Sequence, residues 1–96
     1  MTIHSDTVFK LTDQQISSDL AGEKVILNHK KGAYYGLSEV GAFVWGRLEQ
    51  GQSSFEELAG AVYDEYEVDE AHYRGDISAL LEKLVSEKLV EVVPVP

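Results

Sequence analysis

The chain has 96 residues, a formal net charge of −9 and no cysteine. That length makes one domain, spanning 1–96, with one modest core and little room for a deep active-site cavity. Without cysteine there are no disulfides, thiolate metal sites or thiol nucleophiles, and a cytoplasmic setting is expected. No apolar run approaches the roughly 20 residues that a bilayer requires, and no secretory signal pattern opens the chain.

The charge is uneven. Residues 1–48 hold five basic and five acidic side chains, whereas residues 49–96 hold three basic and twelve acidic. Such a surface repels phosphate backbones and anionic lipid, so nucleic acid and membrane are not expected partners. The lone basic pair, Lys30-Lys31, is too small to reverse that.

In chain order, residues 1–15 read as an N-terminal extension: Met1 to Asp6 is a loose polar start, and Val8 to Leu11 is a short strand or an apolar anchor. The core is expected from about 16 to 92. Ile16 to Leu20 is a strand candidate, and Ala21-Gly22 marks a turn. Lys24 to His29 alternates, with Val25 and Leu27 on one face and Lys24, Ile26 and Asn28 on the other. Lys30-Lys31-Gly32 makes the next turn, and Ala33 to Leu37 is a further strand. Together these predict a three-stranded antiparallel meander.

Three helices follow. The first spans about Glu39 to Glu49, capped by Ser38, with Val40, Phe43, Val44 and Leu48 at helical spacing and Gly51 suited to its C-terminal cap. The second opens with Ser53 and Glu56 in capping-box register and buries Phe55, Leu58, Ala59, Val62, Tyr63 and Tyr66. The third runs from near Asp69 to about Lys88 and presents Tyr73, Ile77, Leu80, Leu81 and Leu84. Leu89 to Val95 is strand-like. The fold class is α+β and winged-helix-like: a three-stranded antiparallel sheet followed by three helices, the last two joined by a short turn around Val68.

Catalytic constellations do not emerge. His4, His29 and His72 are scattered and lack ligand spacing. The acidic run from Asp64 to Glu70 lacks the calcium-loop pattern and reads as two solvated helix ends. No serine sits in a nucleophile elbow, and no glycine-rich phosphate loop is present. Helix 3 carries Arg74, Lys83 and Lys88 against Asp69, Glu70, Asp76, Glu82 and Glu87, which argues against entry into a DNA groove. We therefore expect no enzyme activity, no metal and no cofactor. A winged-helix DNA regulator and a subunit completing a partner's active site are the rival readings. Among the aromatics, Tyr35, Phe43 and Trp45 read as filling the sheet–helix junction, and Tyr34, on the opposite strand face, as the better ligand contact.

The run Tyr34-Tyr-Gly-Leu-Ser-Glu-Val-Gly-Ala-Phe-Val-Trp45 resembles the signature of PqqD-like proteins. Asp76-Ile77, Leu80-Leu81, Leu84 and Lys88-Leu89-Val90 also fit, so the resemblance covers about residues 16–92. The chain departs from that pattern at Ser38, where Asn is usual, and at Lys88, where Gly is frequent. The resemblance implies a precursor-peptide recognition element, which binds the leader segment of a ribosomally made peptide and presents it to modifying enzymes. The free-standing form, as in lasso-peptide pathways, implies a separate leader peptidase and a cyclase as partners. The nearest alternative is a PqqD-type chaperone delivering a quinone-cofactor precursor to a radical enzyme. The implied mode is addition of the leader as a strand beside Ala33, Tyr34, Tyr35, Gly36 and Leu37, against Asp76, Ile77, Leu80, Lys83 and Leu84 of the third helix. Strand addition draws affinity from main-chain hydrogen bonds and specificity from side-chain pockets. Within helix 3, Ile77, Leu81 and Leu84 are assigned to the core, and Leu80 to the groove or the core.

Overall fold

The computed structural model describes residues 2–37, 39–67 and 69–94. Nine elements follow in order: β1 Val8–Leu11, β2 Gln15–Leu20, β3 Glu23–Asn28, β4 Ala33–Leu37, α1 Val40–Glu49, β5 Ser53–Ser54, α2 Phe55–Tyr66, α3 Glu70–Ser86 and β6 Val90–Val92. This is the expected α+β, winged-helix-like order of a meander followed by three helices, with one addition. The strands form two three-stranded sheets, β2-β3-β4 and β5-β1-β6.

The meander follows from its turns. Ala21 and Gly22 both have positive φ, 53° and 85°, as the two-residue hairpin joining Leu20 to Glu23 requires. Gly32, at φ 69°, closes the second hairpin where its amide donates to the carbonyl of Asn28 at 2.8 Å. Alternation along β3 then sends Ile26 and Asn28 fully inside. Lys24 lies on the same face and is held by Asp19 and Glu49, each at 2.9 Å. These hydrogen bonds, Glu49 first, raise the Lys24 pKa and tie the first hairpin to the end of α1.

The second sheet shows what local pattern does not reveal. Phe9 of β1 lies opposite Val92 of β6 and Ser53 of β5, strands drawn from the far end and the middle of the chain. That pairing buries Phe9 and Val90 with Trp45, Val44, Leu58, Val62, Ile77, Leu81 and Leu89 in one core. Of the two readings of the stretch 8–11, strand or apolar anchor, the structure shows the strand.

The helices lie close to their expected spans, with two corrections. The capping box of α2 is Ser54 with Glu57, not Ser53 with Glu56: Ser54 Oγ accepts from the Glu57 amide at 3.0 Å, and Glu57 Oε1 accepts from the Ser54 amide at 2.9 Å. Both serines pair with β1, Ser53 opposite Phe9 and Ser54 opposite Val8, and the helix starts where that pairing ends, at Phe55. Tyr63 and Tyr66 are exposed rather than buried. Tyr66 meets Phe43 edge-on at 5.7 Å on the rim of the core. The caps assigned to Ser38 and the turn at Val68 lie outside the described residues.

Helix α3 ends in a left-handed cap. Lys88, at φ 63°, donates its amide to Val85, and the Leu89 amide donates to Leu84, both at 3.0 Å. This is the Schellman pattern, and it brings the buried Leu84 and Leu89 to the two ends of one turn. The departure at Lys88 leaves the cap in place on a residue that adopts it at a cost.

Candidate functional site

Strand β4 borders the sheet and pairs with β3 alone among the described strands. A two-residue hairpin closes on a hydrogen-bonded pair, here Leu20 and Glu23, and such pairs then alternate along an antiparallel ladder. The amide of His29 donating to Gln14 at 3.1 Å extends the same alternation. Carried across β3, that parity aims the backbone of Ala33, Tyr35 and Leu37 at β3. The N–H and C=O groups of Tyr34 and Gly36 consequently face the open edge.

Between that edge and α3 lies a groove. One part, about 370 Å³, is lined by Tyr34, Tyr35, Gly36, Leu37, Leu80, Lys83, Leu84 and Glu87. The other, about 390 Å³, shares Gly36, Leu37 and Leu80 and adds Glu39, Val40, Gly41, Tyr73, Asp76 and Ile77. Its walls are thus a strand edge, one face of α3 and the start of α1.

Of the residues singled out by sequence, Tyr34, Tyr35, Gly36, Leu37, Asp76, Ile77, Leu80, Lys83 and Leu84 all line this groove. Ala33 does not; it pairs with Asn28 where the hairpin turns. Ile77 and Leu84 are buried and reach the groove only as its floor, whereas Leu80 is half-buried and forms its wall. Tyr34 is 71% exposed and projects from the opposite sheet face, so it meets the groove through its backbone.

Sequence reasoning missed Glu87 and Asn28. Glu87 Oε2 accepts from the Tyr35 hydroxyl at 2.5 Å and lies 3.5 Å from Lys31 Nζ. The Glu87 carbonyl accepts from Asn28 Nδ2 at 3.0 Å, while Asn28 Oδ1 accepts the amides of Lys30 and Lys31, each at 3.0 Å. Asn28 is fully buried, and these bonds satisfy both polar atoms of its amide. Hydrogen bonding from Tyr35, reinforced by Lys31, holds the Glu87 carboxyl below its usual range, and the same bond raises the Tyr35 hydroxyl. The cluster pins the second hairpin to the C-terminal end of α3 and fixes that end of the groove. No local signal marks Glu87, whose partners lie more than fifty residues away. Tyr73, Val40 and Gly41 were visible only as helix-face or motif positions.

Among the described residues, no group of three His, Cys, Asp or Glu side chains is placed to hold a metal ion, and no helix is long and apolar enough to cross a membrane. What the groove offers is an open ladder edge beside an apolar wall, which suits an extended peptide.

The model of the PqqD family, described as coenzyme PQQ synthesis protein D, matches residues 23–90, and the chain belongs to that family. Among solved structures it is similar to TbiB1, determined in complex with the TbiA(beta) leader peptide. That match has 32% identity and a TM-score of 0.80, and covers 90% of this chain and 99% of the other. It is also similar to a lasso peptide synthetase B1 complexed with the leader peptide, at 27% identity and a TM-score of 0.75, covering 90% and 98%. None of the curated proteins matches the chain.

Proposed function

We propose that this chain is a binding module of lasso-peptide biosynthesis without chemistry of its own. It captures the leader segment of a ribosomally made precursor and presents it to a separate leader peptidase, with a cyclase acting later, in the cytoplasm. The leader adds as a strand along β4, hydrogen-bonded to the backbone of Tyr34 and Gly36. Its inward side chains seat against Leu37, Ile77, Leu80 and Leu84, with Asp76 and Lys83 on the rim. Ala33 supports the strand from the hairpin end. The observation that carries the reading is the open β4 edge facing an apolar groove on α3. Both structural relatives with near-complete coverage, themselves leader-peptide complexes, support it.

The test is a fluorescence anisotropy titration with the labelled leader of the precursor that this chain's own pathway uses. Saturable binding with a Kd of about 10 μM or tighter is expected. A flat titration at ten times that concentration overturns the proposal. The family description favours one other reading, delivery of a quinone-cofactor precursor to a radical enzyme. The same titration with that precursor, in place of the leader, separates the two.

A further inference from the structure

The groove carries opposite charge at its two ends. At the α1 end, Glu39 and Asp76 line it. The imidazole of His72 lies 3.5 Å from Asp76 and pairs with it when protonated. At the other end, Lys83 lines the groove beside Glu87. That single carboxylate is already shared by the Tyr35 hydroxyl and Lys31. Two cations, Lys31 and Lys83, therefore face one carboxylate at this end. Asp76 and Lys83 are seven residues apart on α3, about 10 Å along its axis at 1.5 Å per residue. A strand covers that distance in about three residues, and its side chains face one way at every second position.

We infer that the groove reads charge order: it takes an extended peptide with a basic side chain against Glu39 and Asp76 and an acidic side chain against Lys83, two or four residues apart. The inference rests on the peptide-binding reading above and adds a selection rule to it. Strand β4 runs from the Lys83 end toward the Asp76 end, as Tyr34 lines one part and Leu37 continues into the other. An antiparallel partner, the commoner pairing, runs the opposite way, so its basic residue comes first. A reversed order sets carboxylate against carboxylate and ammonium against ammonium, and such like-charge contacts reject wrong partners more strongly than exposed ion pairs reward right ones.

The experiment is an mRNA-display selection on the full chain with random peptides of about ten residues, long enough to run past β4. It is repeated on the charge-swapped variant Asp76→Lys with Lys83→Asp. Both positions are exposed and the net charge is unchanged, and the variant's folding is checked by circular dichroism before selection. Peptides selected by the natural chain should carry base before acid roughly five- to tenfold more often than the reverse, the size expected from two partly exposed charge pairs. The swapped variant should invert that ratio. The same order in both pools, or no order in either, overturns the inference while leaving peptide binding intact. If neither pool yields peptides that the precursor's leader displaces, the peptide-binding reading falls and this one with it.

Discussion

The phenol of Tyr35 donates to the carboxylate of Glu87 at 2.5 Å, joining the strand that borders the groove to the last turn of the helix that walls it. Because the bond favours ionised Glu87 and neutral Tyr35, it confers stability between two pH limits. Glu87 has a lowered pKa, so its contribution is present above the ordinary carboxylate value of 4.5 and is lost as pH falls through the lower folded value. Tyr35 has a raised pKa, so its contribution is full below 10.0 and is lost as pH rises through the higher folded value. Tyr35→Phe should lower the thermal midpoint by a few degrees at pH 7. The gap from the natural chain should narrow below pH 4 and above pH 10, as read by circular dichroism melts across that range. A gap independent of pH would show that the hydroxyl's bond to ionised Glu87 contributes nothing.

Asn28 is the buried link behind that bond. Asn28→Ala removes three hydrogen bonds at once and strands the Glu87 carbonyl and two turn amides. We expect a loss of about 2–4 kcal/mol, larger than for a surface turn residue. Urea denaturation measures it, and a loss below about 1 kcal/mol would show that water replaces the side chain without penalty.

Lys88 holds a left-handed conformation that glycine adopts freely. Lys88→Gly should stabilise the fold by about 0.5–1 kcal/mol, the relief of left-handed strain less a small loss of favourable charge at the helix end. An unchanged or lowered urea midpoint contradicts this.

The capping register of α2 predicts unequal effects at adjacent serines. Ser54→Ala should cost about 1 kcal/mol by removing the cap, whereas Ser53→Ala should stay within about 0.5 kcal/mol. Equal losses would count against the Ser54–Glu57 box.

The ladder parity of β4 separates two prolines. Tyr34→Pro removes an amide that faces the open edge, so the domain should keep its melting transition and lose at least tenfold in leader affinity. Tyr35→Pro removes an amide directed at β3 and should damage the fold itself. Leader binding by Tyr34→Pro at the natural affinity would place the peptide elsewhere.

Local physics made much of this protein legible in its residues. The 3.6-residue spacing of Val40, Val44 and Leu48, of Phe55, Leu58 and Val62, and of Ile77, Leu81 and Leu84 marks faces that must be buried wherever the helices pack. Alternation around Ile26 and the glycines at 22 and 32 mark the meander, because strand pleat and turn conformation are set within a few residues. The motif at 34–45 likewise pointed to the strand and helix that flank the groove. Tertiary structure decided what depends on distant partners. Two adjacent serines are equally good caps by composition, and the frame was chosen by where the pairing with β1 ends, at Ser54. The second sheet, the burial of Asn28 and the place of Glu87 at the groove all come from contacts across 44 to 83 residues. No local pattern encodes such contacts, since their energy exists only once the chain has closed on itself.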